Sequence, residues 1–247
     1  MASISYRVFL GVVLLSFGTA SLVLAADDPP IIPRSDWKAP APILKREPPI
    51  HEVTEGRKQI IAENELKERD MNQLEFLTVH STGIPRASVS DVSGKMKSLR
   101  TMVEKGYQVT PTLFSYMAEI PYHYVILRDG EVDGKVAEGR ELKFPAATNT
   151  RNSDYGQSIA KHLTVVLELK YTKVKGKNGR KDELVELPPT AAQLKSLAEL
   201  LERLVNKHKI SAEKIGYHKQ YAETSCPGPA IIAATERIRA ALIKKGL

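Results

Sequence analysis

The 247-residue sequence has very little cysteine and only one long apolar run. Cys226 is the only cysteine, so an internal disulfide is excluded as a source of stability. Beyond residue 24 there is no second long apolar run, which excludes further membrane-spanning segments and predicts a soluble domain. About 220 residues remain after that first run, enough to bury the core of one large domain.

The one long apolar run lies at the N-terminus. Residues 8–24 contain no charged side chain, follow Arg7, and lead into Val23-Leu24-Ala25, which has the small-x-small pattern that signal peptidase reads. We therefore expect residues 1–25 to be a signal peptide and the protein to be exported, to the periplasm or the extracellular space. Because the run is borderline long, an uncleaved membrane anchor is the alternative.

The charge is basic, with 36 Lys and Arg against 29 Asp and Glu, a formal net charge of +7. An exported chain rarely meets nucleic acid, so we expect no nucleic-acid partner. An anionic cell-wall polymer or a membrane surface is the better match for this charge. Much of the excess lies in residues 170–181, a run that could hold wall polymer or could simply be a solvated loop.

The lone thiol needs an explanation in an oxidising compartment. Such a cysteine is buried as a small apolar group, cross-linked between chains, or bound to a metal. His218 lies eight residues before Cys226, and His80 closes an apolar run. These three side chains could form a His/His/Cys zinc site with one open position, as catalytic zinc sites have.

Helical and strand patterns follow one another through the sequence. Apolar residues three or four apart predict three amphipathic helices, the first with Ser90 as a plausible N-cap. The run Val165-Val166-Leu167 favours a central strand covered on both faces, and Asp129-Gly130 between two β-rich runs predicts a hairpin. We predict an α/β fold with a central mixed β-sheet flanked by at least three helices. The predicted strands are residues 76–80, 122–127, 132–136 and 163–171, and the predicted helices are residues 90–106, 190–208 and 229–244.

Four segments, in order, carry a resemblance to a known family. They are Arg34-Ser35-Asp36-Trp37, Thr78-Val79-His80-Ser81-Thr82, Tyr122-His123-Tyr124-Val125-Ile126 with the Asp-Gly turn and Glu138-Gly139-Arg140 after it, and the stretch from His218 to Gly228. The chain resembles the zinc amidases that include N-acetylmuramoyl-L-alanine amidases, phage amidases and peptidoglycan recognition proteins. The resemblance spans residues 32–228. With the signal peptide predicted above at residues 1–25, we expect a lead-in segment at 26–72 that packs on the domain and a zinc amidase domain at 73–247.

The resemblance implies a role for each site residue. His80, His218 and Cys226 would hold Zn²⁺. Tyr122 would donate its hydroxyl to the oxyanion that forms when water attacks the scissile amide. From the sequence alone, Tyr122 could equally be a hairpin aromatic that packs on a neighbour. His51, His123, His162 and His208 match no ligand position and are expected to be structural or at the surface.

Two further residues fall on positions that the family uses. Glu168 aligns with a strand glutamate that serves some bacterial members as general base, and Thr224 with a threonine or lysine that contacts water or the substrate carbonyl. Alternatively, Glu168 is an exposed residue paired with the nearby lysines, and Thr224 caps the turn into the last helix. Members often carry a histidine after the hairpin that contacts the substrate, but residues 144–149 contain none.

The resemblance implies an enzyme that hydrolyses the amide bond between N-acetylmuramic acid and L-alanine in peptidoglycan. Its partners would be peptidoglycan or muropeptides, without a stable membrane partner beyond the leader, and we expect a monomer. One alternative is a binding module that recognises peptidoglycan without cutting it, although recognition proteins of that kind lack the cysteine ligand. Another is a zinc hydrolase of the same fold that acts on a different amide.

Overall fold

The computed structural model describes residues 29–247 except 46, 48–49, 51–52, 56–57, 64, 83–89, 106, 111–112, 147–158 and 176–182. The predicted signal peptide, residues 1–25, lies outside the described residues. Within the described ranges, no helix combines the length and the hydropathy that crossing a bilayer requires. The boundary predicted between residues 72 and 73 stays a prediction.

The described elements comprise strands from both halves of the chain and three longer helices. The strands are β1 (Ile31–Ile32), β2 (Val53–Glu55), β3 (Lys58–Ala62), β4 (Phe76–Ser81), β5 (Tyr107–Thr110), β6 (Leu113–Tyr116), β7 (Tyr124–Ile126), β8 (Val136–Glu138), β9 (His162–Leu167), β10 (Lys170–Val174), β11 (Glu183–Leu187) and β12 (Ile215–Tyr217). The helices are α1 (Val92–Lys105), α2 (Ala191–His208) and α3 (Pro229–Lys244).

A mixed six-stranded sheet forms the centre of the described fold, in the order β1-β8-β7-β9-β4-β12. Strand β4 runs parallel to both of its neighbours, β9 and β12, whereas β7 and β8 pair antiparallel. The predicted α/β fold with a central mixed sheet and at least three helices is confirmed. So is the central position of β9, which lies between β7 and β4 and is buried along its whole length.

The two faces of the central sheet carry separate apolar clusters. Leu163, Val165 and Leu167 of β9 belong to the cluster that includes residues of α2 and α3. Val166, which points to the opposite face because side chains alternate along a strand, packs with residues of α1 and with Trp37. The sheet is therefore covered on both sides. Of the three helices, α1 covers the face that carries His80 and Glu168.

The predicted hairpin exists, but its turn is wider than Asp129-Gly130. Ile126 pairs with Val136, so the second strand begins where the predicted one, residues 132–136, ends. A two-residue turn would require Arg128 to pair with Glu131. Instead the Arg128 N–H donates to the Glu168 carboxylate at 3.0 Å, and the chain makes a 3₁₀ turn over Gly130–Val132.

The predicted strand over residues 163–171 is two strands, β9 and β10. Between them the backbone groups bind elsewhere: the Leu169 N–H donates to the Thr82 hydroxyl, and the Glu168 carbonyl accepts from the Gln193 side chain. Strand β10 then pairs with β11 in a separate antiparallel ladder. At α1, the capping side chain is Asp91 rather than Ser90, since its Oδ1 accepts from the Gly94 N–H at 2.8 Å.

A second sheet, in the order β2-β3-β6-β5, lies beside the central one. The sequence patterns did not predict β5 and β6, because four residues each are too few to establish a period of two. Arg140 connects this region to the central sheet. Its fully buried guanidinium donates to both carboxylate oxygens of Glu63 and to the carbonyls of Glu119 and Ile120, at 2.7–3.0 Å.

Replacing Arg140 with Met should unfold the protein more easily. The change breaks the ion pair with Glu63 and removes the guanidinium donors from the Glu119 and Ile120 carbonyls, so we expect the free energy of unfolding to fall by about 3–5 kcal/mol. The control is Lys195→Met, which removes an exposed lysine from its pair with Glu199 and should cost less than about 1 kcal/mol. Urea unfolding at pH 7 measures both, and equal midpoints would contradict the importance of the Arg140 network.

Candidate functional site

Three side chains from distant parts of the chain meet at one edge of the central sheet. The potential ligand atoms of His80, His218 and Cys226 all lie within 4.8 Å of one another. The Cys226 Sγ is 3.9 Å from the His80 Nδ1, and the two imidazole centroids are 4.5 Å apart. His80 is fully buried, and the other two are partly exposed.

The register of the sheet explains why the two histidines meet. In the parallel pairing of β4 with β12, Thr78 lies opposite Gly216 and Val79 opposite Tyr217. His80 and His218 are the next residues along each chain. Because side chains two residues apart project from the same face, His80 leaves the sheet on the same side as Thr78. His218 begins a 3₁₀ turn directly after β12, and its ring centroid lies 4.5 Å from that of His80.

The cysteine is brought in by a short loop that closes on itself. The Lys219 N–H donates to the Cys226 carbonyl at 3.0 Å, and the Thr224 hydroxyl accepts from the Cys226 N–H at 3.2 Å. Thr224 thus caps the turn, as one of the two sequence interpretations had it. Its contact with water or substrate stays a prediction.

Burial shifts the pKa values of His218 and Cys226. Burial lowers the pKa of His218 to about 4, so its imidazole is neutral at pH 7 and offers a lone pair to a metal. Burial raises the pKa of the Cys226 thiol, and the nearby Glu186 carboxylate acts in the same direction. Hydrogen bonds from Ser81 oppose this rise: its backbone N–H donates to Sγ at 3.3 Å.

The donor set and its spacing fit zinc. Thiolate and neutral imidazole are common zinc ligands, and Zn–S of about 2.3 Å with Zn–N of about 2.0–2.1 Å in a tetrahedron puts sulfur and nitrogen about 3.6 Å apart. The 3.9 Å between Cys226 Sγ and His80 Nδ1 needs only a small side-chain rotation to reach this value. Three protein ligands also leave the fourth position open, the arrangement of catalytic zinc.

Tyr122 lies beside the candidate metal ligands. Its ring centroid is 5.3 Å from that of His80, and the residue is buried in the cluster that packs on α1. Its backbone carbonyl accepts from the Arg140 N–H at 2.7 Å, which fixes the segment before β7. The role of its hydroxyl in catalysis stays a prediction.

Glu168 follows the last residue of β9 and is buried, with 4% of its surface exposed. Both carboxylate oxygens are 3.0 Å from the Lys95 Nζ of α1. The alternative of an exposed glutamate paired with the lysines of residues 170–181 is therefore wrong. The role of Glu168 as a general base stays a prediction.

The remaining described histidines lie outside the group of three. His123 and His162 are buried, and His208 is half-buried at the end of α2; His51 lies outside the described residues. Of the basic run, Lys170 pairs with Asp129 at 3.2 Å, and residues 176–182 are outside the described part, so its role stays a prediction.

Sequence reasoning missed Lys95 and Ser81. Lys95 lies on the apolar stripe of α1, between Val92 and Leu99, and a charge on such a stripe is the signal that was available. No sequence pattern marks the contact of Ser81 with Cys226, because it depends on how two segments 145 residues apart meet.

The family profile described as N-acetylmuramoyl-L-alanine amidase matches residues 70–229, most of the chain. The chain therefore belongs to the N-acetylmuramoyl-L-alanine amidase family. Members of this family act on or bind peptidoglycan, so the chain is of the peptidoglycan amidase or peptidoglycan-binding class. A search of curated proteins gives no match.

Solved structures share the fold at low sequence identity. Drosophila peptidoglycan recognition protein SD is 20% identical, with a TM-score of 0.52 over 85% of this chain and 94% of that one. A Drosophila PGRP-LB variant in complex with tracheal cytotoxin is also 20% identical, with a TM-score of 0.50 over 82% and 90%. The complex of tracheal cytotoxin with the ectodomains of peptidoglycan recognition proteins LCa and LCx is 13% identical, with a TM-score of 0.51 over 84% and 95%.

The buried His162 should make stability depend on pH. Burial lowers its pKa to about 4, against about 6.5 in an unfolded chain, so between these values the unfolded state binds more protons. The stabilisation is fully present above pH 6.5 and is lost as the pH falls through 4, by up to about 1.4 kcal/mol per pH unit from this group. In His162→Asn, urea unfolding in metal-free buffer should show a shallower decline over this window and an unchanged slope above pH 7. Parallel curves throughout would contradict the prediction.

Proposed function

We propose that the protein is a zinc-dependent enzyme that hydrolyses the amide bond between N-acetylmuramic acid and L-alanine in peptidoglycan. The observation that carries the proposal is the convergence of His80, His218 and Cys226, whose ligand atoms lie within 4.8 Å of one another. Family membership supports the amidase reaction, and two relatives of the same fold are complexes with tracheal cytotoxin.

The two histidines and the cysteine would hold the metal, and bound zinc supplies a nucleophile at neutral pH and a Lewis acid. Tyr122, whose ring is 5.3 Å from that of His80, donates its hydroxyl to the scissile carbonyl oxygen as negative charge develops on it. Glu168 accepts the proton of the attacking water and returns it to the nitrogen of the departing L-alanine. Thr224 orients the water or the substrate carbonyl while it holds the cysteine loop closed.

The setting of the enzyme follows from the same reasoning. We propose that the chain is exported to the periplasm or the extracellular space after loss of residues 1–25 and works as a monomer. In this proposal residues 73–247 form the zinc amidase domain, and the segment 26–72 packs on it. The pairing of β1 with β8 and the buried Trp37, whose indole N–H donates to the Glu138 carbonyl at 2.8 Å, support that packing.

The alternative is a module that binds peptidoglycan without cutting it. Such a module has no need of a complete set of zinc ligands, whereas this chain keeps a histidine pair and a cysteine whose ligand atoms lie within 4.8 Å of one another. That spacing favours the enzyme over the module. Binding of sacculi without cleavage would identify such a module.

The purified protein should take up one zinc ion per chain. Cys226→Ala removes one of three ligands and should lower zinc affinity by at least about 100-fold, because outer partners alone are typically worth 10–100-fold. The matched control is Ser225→Ala, an exposed neighbour in the same loop, which should bind zinc like the wild type. Equilibrium dialysis with elemental analysis measures both. Equal zinc content in the two variants would show that Cys226 is not a zinc ligand and would contradict the proposed site.

Digestion of purified sacculi tests the reaction itself. The zinc-loaded protein should release stem peptides that begin with L-alanine, identified by mass spectrometry, and Cys226→Ala should release none. Tyr122→Phe should keep its zinc and lose about 10²–10³-fold in kcat, since the oxyanion loses a donor.

Two other outcomes of the digestion have distinct meanings. Intact sacculi that nevertheless sediment the protein would establish the binding module and overturn the catalytic roles. Release of other fragments would show that a different bond is the substrate.

A further inference from the structure

Lys95 is a lysine on the buried face of α1, with only 5% of its surface exposed. A buried lysine is rare unless it is paired, and here the partner is Glu168. The Lys95 Nζ lies 3.0 Å from each of the two carboxylate oxygens, and both side chains are almost inaccessible to solvent. The ammonium group therefore lies within hydrogen-bonding distance of both carboxylate oxygens.

The sheet register puts this ion pair next to the candidate metal ligands. His80 of β4 lies opposite Val166 of β9, and Glu168 is two residues further along on the same face. A strand separation of about 4.8 Å and a rise of about 3.3 Å per residue put the Cα atoms of His80 and Glu168 about 8 Å apart. That separation allows the carboxylate to reach a water molecule bound beside His80.

The carboxylate of Glu168 is held from two directions. Lys95 contacts it from the helix, and the Arg128 N–H at the end of β7 donates to its Oε2 at 3.0 Å. Stability alone does not account for such an arrangement, because a buried ion pair is often no more stabilising than apolar residues of the same volume. An orienting role explains why Lys95 and the Arg128 N–H both bind the Glu168 carboxylate.

We propose that Lys95 is a positioning residue, which fixes the orientation of the Glu168 carboxylate for proton transfer in the amidase reaction. This inference rests on the proposed function. Lys95 itself touches neither substrate nor metal in this role. Its effect passes through Glu168, so its loss should slow the chemical step and leave the binding of substrate and metal largely unchanged.

The same helix offers a matched control. Arg100 is also on the buried face of α1, also 5% exposed, and also paired with a buried glutamate, Glu119, at 3.5 Å. Its guanidinium further donates to the carbonyls of Pro40 and Ala41, away from the candidate ligands. Arg100→Met therefore removes a buried cation of the same helix, which pairs with Glu104 at 2.6 Å and with Glu119 at 3.5 Å, without touching Glu168.

The experiment compares Lys95→Met, Lys95→Arg and Arg100→Met in the zinc-loaded full-length protein, using a soluble muropeptide as substrate. We expect Lys95→Met to lower kcat about 10–100-fold with KM and zinc content within about twofold of the wild type. Lys95→Arg should recover a substantial part of the loss, since a guanidinium also presents two donors to a carboxylate. Arg100→Met should lose stability in urea and keep its kcat.

The inference is overturned if Lys95→Met keeps its kcat, or if Arg100→Met loses as much kcat at the same folded fraction. Should Lys95→Met fail to fold, Lys95→Gln replaces it, and a kcat equal to that of Lys95→Arg would also overturn the inference. Glu168→Gln distinguishes a failure of this inference from a failure of the proposed function. If the wild type is active and Glu168→Gln is equally active, neither the carboxylate nor Lys95 has the proposed role. If the wild type is inactive but binds sacculi, the proposed function itself is wrong.

Discussion

The parallel pairing of β4 with both of its neighbours is the constraint on which the candidate site depends. Pairing with β12 brings His218 beside His80, and pairing with β9 brings Glu168 to the same edge and the same face. A shift of either register by one residue would turn the affected side chain to the opposite face of the sheet, into the apolar layer of α2 and α3. The site is thus specified by the same hydrogen bonds that hold the sheet together.

The two faces of the sheet divide stability and chemistry between them. The face toward α2 and α3 is filled with aliphatic side chains, whose burial supplies the larger share of the hydrophobic stabilisation. The other face carries Thr78, His80, His162, Thr164 and Glu168 among its apolar residues, all buried. Polar groups cost free energy when they lose water, so each requires a partner, as Thr78 and His162 provide for one another at 2.8 Å.

The sequence allowed the helices, the central strand and the group of three candidate ligands to be predicted, because each is marked by a local pattern or a short motif. Its limits appear where a tertiary contact overrides the local signal. Asp129-Gly130 favours a tight turn, but the hydrogen bond between the Arg128 N–H and Glu168 prevents it. Lys95 was overlooked for the same reason: its partner lies 73 residues away, and only the packing of α1 on the sheet brings the two together.

The Lys95 contact also bears on why a glutamate so close to the histidines would not itself become a fourth ligand. Carboxylates bind zinc readily, and a fourth protein ligand would close the position that a catalytic centre needs. With both oxygens of Glu168 held by the Lys95 ammonium and one also by the Arg128 N–H, its move toward the candidate ligands would break the buried ion pair with Lys95. Breaking a buried pair in this way costs about 3–5 kcal/mol. In the proposed enzyme, the Lys95–Glu168 ion pair would therefore separate two tasks at this edge of the sheet: His80, His218 and Cys226 would bind the metal, and the carboxylate would be left to move protons.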